Sequence, residues 1–555
     1  MHGAQRRAML SPVEHSPELT NDQLARLRSY GTPNALEVGA AAFTAGDPEY
    51  DLIVIEEGAI DVVRPATANA PEAALIRYGP GEFVAELGLL TGQTTYLTAR
   101  VVERARVHRI PPRQVRRLMA EDPDLADVLL RAFLARRRRI GSGPGARVLQ
   151  IIGSEFDAAA LALRTYAARR GLAHVWIDAD AVEGASLMGA VALTTSDLPA
   201  AVTPDQTLRR ATPGSLARHL GLTYRQTTGE PADLAVIGAG PAGLAAAVYG
   251  ASEGLRTVLL DAIAPGGQAA SSSRIENYLG FPSGLSGAQL AESAVAQAMK
   301  FGAQISAPCE ITTLDTESER LAAMLADGTR VSAKAVIVAT GARYRKLALA
   351  NRERFEGAGI YYAATELEAR RCAGQPVTVV GGANSAGQAA LFLASSERTV
   401  TLAVRGPDLA AKMSQYLVQR ILADPRIDLR TGTEVTRLEG EHALARIALR
   451  GTDGDETRGC GGLFCFIGAE PATNWLQRVA LDRDGFIRTD VQLTAADLDG
   501  TWDSLGRSPL PFETSVPGVF AAGDVRSASV KRVAAAVGEG AGAVSSVHRA
   551  VGVRL

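Results

Sequence analysis

Two apolar runs that each enter a glycine-rich turn predict a multidomain chain built on two Rossmann-like α/β dinucleotide-binding domains. The first run, 234–237, leads into Gly238-Ala239-Gly240-Pro241-Ala242-Gly243. The second, 377–380, leads into Gly381-Gly382-Ala383-Asn384-Ser385-Ala386-Gly387. A third observation concerns the N-terminal third, where short alternating strands with frequent glycine predict a β-rich unit, followed by a β-α-β text from about 146.

The first turn organises the rest. An Ala-rich helix over 244–253 follows it, and the next strand, 257–260, ends on Asp261. Strand, G-x-G-x-x-G, helix and acid together form the dinucleotide-binding βαβ unit. Gly238 permits the tight turn, Gly240 lets a pyrophosphate approach the backbone, and Gly243 lets helix and strand pack. The helix N-terminus, opened by Pro241 and Ala242, supplies oriented N–H groups and positive potential for phosphates. Asp261 stands 18 residues after Gly243, where a carboxylate accepts ribose hydroxyls.

Composition narrows the function. A chain of 555 residues holds about four domains on length alone. With 46% apolar and 21% charged residues it reads as an ordinary soluble protein that buries sizeable cores. A net charge of −2 argues against nucleic acid as a partner. The basic run 136–139 reads as the solvated C-terminal end of a helix. The four cysteines, Cys309, Cys372, Cys460 and Cys465, form no C-x-x-C. The N-terminus lacks the apolar core of a signal peptide, and no run of eighteen apolar residues occurs. A cytoplasmic protein without a membrane partner is expected.

In chain order, 1–20 reads as an unstructured lead and 22–29 as a short helix. Residues 51–63 read as two strands around a turn at Glu57-Gly58. Gly81-Glu82-Phe83-Val84-Ala85-Glu86-Leu87-Gly88-Leu89-Leu90 follows, then strands to Ile110 and helices over 112–140. This stretch, about 20–140, resembles the cyclic nucleotide-binding domain, a β-roll, through its phosphate cassette 81–90. The resemblance implies that Gly81, Glu86 and Leu87 border the pocket, with Glu86 on the ribose 2′-hydroxyl. The family's phosphate-binding Arg is replaced by Thr95, and Thr cannot supply a charge-assisted bond. Arg100 comes five residues too late to stand in. The expected pocket is therefore degenerate.

From 146 to 225 a strand over 147–153, a helix to 170, a strand at 174–178, Pro199 and a final helix over 213–220 resemble a thioredoxin- or glutaredoxin-like domain. Its active-site dithiol would follow the first strand, where Gly153-Ser154-Glu155-Phe156-Asp157 stands instead. Without a thiol there is no nucleophile for disulfide exchange, so a structural or docking role is expected.

Beyond Asp261 come Gly266-Gly267-Gln268, Asn277, a strand over 335–338 ending in Ala339-Thr340-Gly341, and Ala521-Ala522-Gly523-Asp524 near the C-terminus. As a set these resemble a low-molecular-weight thioredoxin reductase over 232–555. The resemblance implies an FAD domain split into 232–345 and 466–555, with an NAD(P)H domain, 346–465, inserted between. It implies flavin contacts at Gly267, Gln268, Asn277, Thr340, Gly341, Gly523, Asp524, Arg532 and Val533. Gly382, Asn384, Ser385, Ala386 and Arg405 would hold the nicotinamide nucleotide. Two departures matter. The family's Cys-Ala-Thr-Cys aligns with Ala363-Ala364-Thr365-Glu366, and its His-Arg-Arg becomes Val404-Arg405-Gly406. Cys372 reads as a buried thiol, and Cys460 and Cys465 as core residues of an apolar strand. The single Arg405 favours NADPH, with NADH left open.

The expectation is a cytoplasmic, homodimeric flavoprotein oxidoreductase that uses FAD and NADPH. Hydride passes from nicotinamide to flavin N5 and then directly to an acceptor, with no catalytic side chain and no metal. The acceptor could be a small redox protein, a disulfide, a quinone or oxygen. A ferredoxin- or flavodoxin-NADP reductase-like enzyme is one alternative. A flavin-based redox or ligand sensor governed by the N-terminal domain is another.

Overall fold

Residues 19–552 are described by the computed structural model, apart from 156, 227–230, 273, 319, 396–398, 452, 453 and 499. The expected lead thus lies almost wholly outside the described residues. Contacts divide the chain into two units: Met1–Gly153, Gly171–Leu222 and Lys300–Gly302 form one, and Ser154–Arg170, Thr223–Met299 and Ala303–Leu555 the other.

In the first unit Thr20 caps the helix Asn21–Ser29, with Gln23 reaching back to the Thr20 N–H. An antiparallel sheet runs in the order Thr32–Leu36, Thr98–Ile110, Leu52–Arg64, Ala73–Tyr78. The strand pair expected over 51–63 is one thirteen-residue strand, Leu52–Arg64. Gly58, at φ +83°, is a bulge and not a hairpin turn, and the pairing with Thr98–Ile110 shifts on both sides of it. Two helices follow, Pro112–Glu121 and Pro123–Ser142, each with proline in its first turn. Asp122 caps the second through the Leu125 N–H at 3.1 Å.

The first half of the basic run is a correction, whereas Arg138 and Arg139 are exposed near the helix end as expected. Arg136 is buried, donates to the Ala85 carbonyl at 2.9 Å and lies 4.2 Å over the Phe83 ring. Arg137 also turns inward. The helix packs its face onto the phosphate cassette, so periodic burial overrides the preference of cations for a solvated helix end.

A second sheet in this unit has the order Thr207–Leu208, Ala200–Val202, Gln150–Gly153, Val175–Asp178. Gln150–Gly153 pairs parallel with Val175–Asp178 and antiparallel with Ala200–Val202. The Leu198–Pro199 peptide is cis. Ile152, Ile177, Leu187 and Val202 are buried together.

In the second unit the strand Ala232–Ile237 lies between Thr257–Leu260 and Arg330–Val338, parallel to both. Gln304–Ser306 extends the sheet on one side, and Val519–Ala521 pairs parallel with Arg330–Val338 from the far end of the chain. The helix after the first turn is Pro241–Ser252, opening three residues before the expected start because proline suits the first helical turn. A second parallel sheet runs Ile360–Tyr361, Gly462–Cys465, Val377–Val380, Val400–Val404, Ile427–Thr431. Its central strands are buried on both faces, which explains their near-continuous apolar text, broken only by the β-branched Thr378 and Thr401. Cys460 precedes the strand Gly462–Cys465 instead of lying on it, although both thiols are buried. Among the described residues no helix is long and apolar enough to cross a membrane.

Candidate functional site

Register brings the expected residues of the first motif together. Ile237 is level with both Leu260 and Val338, so Gly238, Asp261 and Ala339-Thr340 emerge side by side at the carboxyl end of the sheet. This is where ligands bind in open α/β sheets. Gly238 has φ +104°, and a Cβ there would stand 2.3 Å from the Ala339 carbonyl oxygen. A Cβ on Gly243 would strike the Gly238 carbonyl at 1.8 Å. Both glycines are required by protein packing. Gly240 differs: the nearest atom to its would-be Cβ is 3.9 Å away. The space beside it is open, as a pyrophosphate resting against the backbone requires.

Asp261 acts on the turn itself. Its carboxylate accepts the Ala239 N–H at 2.7 Å and the Ile263 and Ala264 N–H groups at 2.9 Å each. Burial pushes its carboxyl above the usual range, and these three bonds pull it back. Gly266 donates to the Ala239 carbonyl at 2.7 Å, which sets Gly267 against Gly240. The Gln268 amide donates to the Ala342 carbonyl, and Thr340 donates its hydroxyl to the Ala472 carbonyl at 3.0 Å. Gly341 follows at φ +65°. Asn277 lies exposed on the loop before Tyr278, and none of the described contacts brings it to this cradle.

The C-terminal stretch closes the same site. Gly523 approaches Ala242 closely, and the helix Val533–Val551, with Arg532 at its N-cap, packs its Gly540 on Ala242. Burial pushes the Asp524 carboxyl up, and its carboxylate takes no hydrogen bond from the described residues. A desolvated acid with unshared acceptors beside a helix start fits a polyol or ribityl ligand. Glu539, absent from the sequence expectation, holds this turn. It accepts the Gly523 N–H at 2.8 Å, the Arg526 guanidinium at 3.0 and 3.1 Å and the Ser529 hydroxyl at 2.9 Å. A lone acid between two glycines of an Ala-rich helix was its only signal in the sequence.

At the second motif Gly381, at φ +145°, faces the Phe466 carbonyl, and Gly382 lies against Val404. Ser385 and Ala386 open the helix Asn384–Ser395. The Asn384 side chain accepts the Ser414 N–H at 2.7 Å, tethering the loop that leaves Val400–Val404. Arg405, at the end of that strand, is exposed and available to a phosphate. Glu366 opens a short helix and is exposed, while Ala364 forms a backbone bridge with Ser272. The cysteines are buried and form no disulfide; burial pushes Cys309 and Cys460 up to about 11 and Cys465 to about 12.

In the first unit the cassette is shut from within. Glu86 pairs with Arg137 at 3.8 Å and accepts from the Tyr50 hydroxyl at 3.3 Å, while Arg137 donates to Gln93 at 2.7 Å. Thr95 is buried with its hydroxyl on the Leu97 backbone. Gly81, at φ +83°, turns the chain into the cassette, and Leu87 is buried beneath it. The remaining cavity beside Glu86, Thr95 and Arg137 is about 20 Å³. Arg100 is held by Glu72 at 2.6 and 2.9 Å and lines an adjoining open cleft of about 430 Å³ with Thr95, Thr98 and His219.

Residues 232–540 match the family described as pyridine nucleotide-disulphide oxidoreductase, and residues 34–122 match the cyclic nucleotide-binding domain. A thioredoxin reductase of Treponema pallidum is 34% identical over 316 residues, covering 56% of this chain and 94% of that protein. One of Streptomyces clavuligerus is 32% identical over 323 residues, covering 57% and 92%. Among solved structures, Lactococcus lactis thioredoxin reductase in its FR conformation aligns with a TM-score of 0.51 at 27% identity, over 58% of this chain and 99% of that one. T. acidophilum thioredoxin reductase gives 0.51 at 28%, over 57% and 98%.

Proposed function

The chain belongs to the pyridine nucleotide-disulphide oxidoreductase family, as a flavin-dependent oxidoreductase of thioredoxin reductase type joined to an N-terminal cyclic nucleotide-binding domain, and we propose that it reduces its acceptor without a protein dithiol. NADPH would donate hydride to FAD N5, and the electrons would leave directly. The observation that carries this is the cysteine set. All four cysteines are buried and outside any disulfide, none is in C-x-x-C, and by the resemblance Ala363-Ala364-Thr365-Glu366 aligns with the family's Cys-Ala-Thr-Cys.

The protein's part is position and electrostatics. The open backbone at Gly240 and the N–H groups of Pro241–Ser252 would receive the FAD pyrophosphate. Asp524, steadied by Glu539, would take the ribityl hydroxyls, and the start of Val533–Val551 would face the flavin. Arg405 would bind the NADPH 2′-phosphate. The domain division 20–140, 146–225, 232–345, 346–465 and 466–555 is part of the proposal, as is a homodimer, which light scattering reads directly. The parallel-antiparallel order of the Gln150–Gly153 sheet supports a thioredoxin-like reading of 146–225. The Glu86–Arg137 pair supports a cassette that does not take cyclic nucleotide.

A chain with all four cysteines replaced by alanine tests the proposal. It should keep NADPH-dependent reduction of ferricyanide and quinones within about twofold of the native rate. Loss of turnover with an intact flavin spectrum would return the protein to thiol-relay chemistry.

A further inference from the structure

The helix Ala158–Arg169 lies between Gly153 and Val175 in sequence, yet it belongs to the second unit. Asp157 caps it through the Ala160 N–H at 2.7 Å. Its contacts fall on both nucleotide-binding parts of that unit at once. Toward the first motif, the fully buried Tyr166 donates its phenol to the Ala307 carbonyl at 3.1 Å. The Arg169 guanidinium donates to the Ser271 hydroxyl at 3.2 Å. Toward the second motif, Arg371 donates to the Gly357 carbonyl at 2.9 Å and to the Glu155 carbonyl just before the helix. Ala158 and Leu161 sit over Gly357, within 4 Å of where its Cβ would be.

Ser271 and Ser272 follow Gly267-Gln268, and Ser272 is bridged to Ala364. The helix therefore covers the rim beside the Ser272–Ala364 bridge, where the flavin-side loop meets the segment 363–366. A protein carrier that took electrons there would need that rim. Small acceptors would not.

We propose that this helix is a tethered occupant of the reductase's carrier-docking face, so that the partner of that face is the chain's own Ala158–Arg169. It pins the two nucleotide-binding domains in one orientation and restricts turnover to small acceptors. This rests on the flavin oxidoreductase reading above. In each turnover NADPH gives up a hydride, two one-electron acceptors are each reduced by one electron, and one proton is released.

The test compares full-length native protein with an Arg169→Ala/Arg371→Ala variant. Neither arginine is among the residues assigned to hold a cofactor, but the Arg169 charge bears on Asp261, so Arg371→Ala alone is measured alongside. Ferricyanide serves as the small acceptor and cytochrome c as the protein acceptor, and hydrogen exchange reads the helix directly. The native chain should reduce ferricyanide and barely reduce cytochrome c, with amides 158–169 protected. The variant should lose that protection and gain at least tenfold in the ratio of cytochrome c to ferricyanide rates. Equal change in both rates, or an unchanged ratio after protection is lost, overturns the proposal. So does a helix that exchanges freely in the native chain. Absence of ferricyanide reduction in the native protein would instead refute the oxidoreductase reading, and the exchange data would still decide the docking of the helix.

Discussion

A cyclic nucleotide entering the N-terminal domain would have to dismantle an internal ion pair to do so. Glu86 and Arg137 are only 18% and 13% exposed, and Arg137 also holds Gln93. Withdrawing Glu86 for a ribose leaves a largely buried guanidinium without its anion, which costs about 3–5 kcal/mol. The position where an arginine would meet the phosphate carries Thr95, whose hydroxyl is committed to Leu97. The missing charge-assisted bond forfeits about 1.5–3 kcal/mol more. Together these give about 4.5–8 kcal/mol, or roughly three to six decades in affinity relative to a pocket that has both features. The bar is electrostatic and not steric, since Thr95 also lines the open cleft of about 430 Å³, whose Arg100 is held by Glu72. Isothermal titration calorimetry with cAMP and cGMP should detect no binding at up to about 1 mM. A sub-micromolar constant for either nucleotide, abolished in Glu86→Ala, would refute the reasoning.

Gly240→Val should fold, since no protein atom crowds that position, but purify without FAD; a yellow protein with a normal flavin spectrum would remove the pyrophosphate assignment. Arg405→Ala should weaken NADPH by about ten- to a hundredfold and leave NADH unaffected, as loss of one charge-assisted contact of about 1.5–3 kcal/mol requires; stopped-flow flavin reduction with each nucleotide reads the difference. Burial disfavours the thiolate, so Cys460 and Cys465, at about 11 and 12, should stay unlabelled by iodoacetamide at pH 8 in the native protein. Labelling should rise only in denaturant or toward pH 11, as quantified by intact-protein mass spectrometry.

What could be read in the sequence was local. Each glycine motif sits next to the strand and helix it serves, so the turn at 238–243, Asp261 and the strand end at Arg405 could be placed from spacing alone. Glycine was less decisive at Gly58, where a positive φ suits a hairpin turn and a bulge equally, and only the partner strand settles which forms. The basic run misled for a similar reason. Arg136 reaches Ala85 and Arg137 reaches Glu86 across some fifty residues, and no local pattern announces such a partner. Glu539 and the Tyr166–Ala307 contact are likewise products of packing at long range. Asp261 was located correctly, yet its three backbone hydrogen bonds add a duty to the turn that spacing does not reveal.

The most direct measurement of the central claim is an anaerobic dithionite titration of the purified flavoprotein. A reductase that carries a redox-active cysteine pair stores two electrons on FAD and two on the dithiol. Ala363 and Glu366 store none, and no disulfide joins the four buried thiols. The flavin absorbance should therefore bleach completely at about two electrons per FAD, the capacity of the cofactor itself. An endpoint near four electrons, with two new titratable thiols, would contradict the account and point first to Cys460 and Cys465.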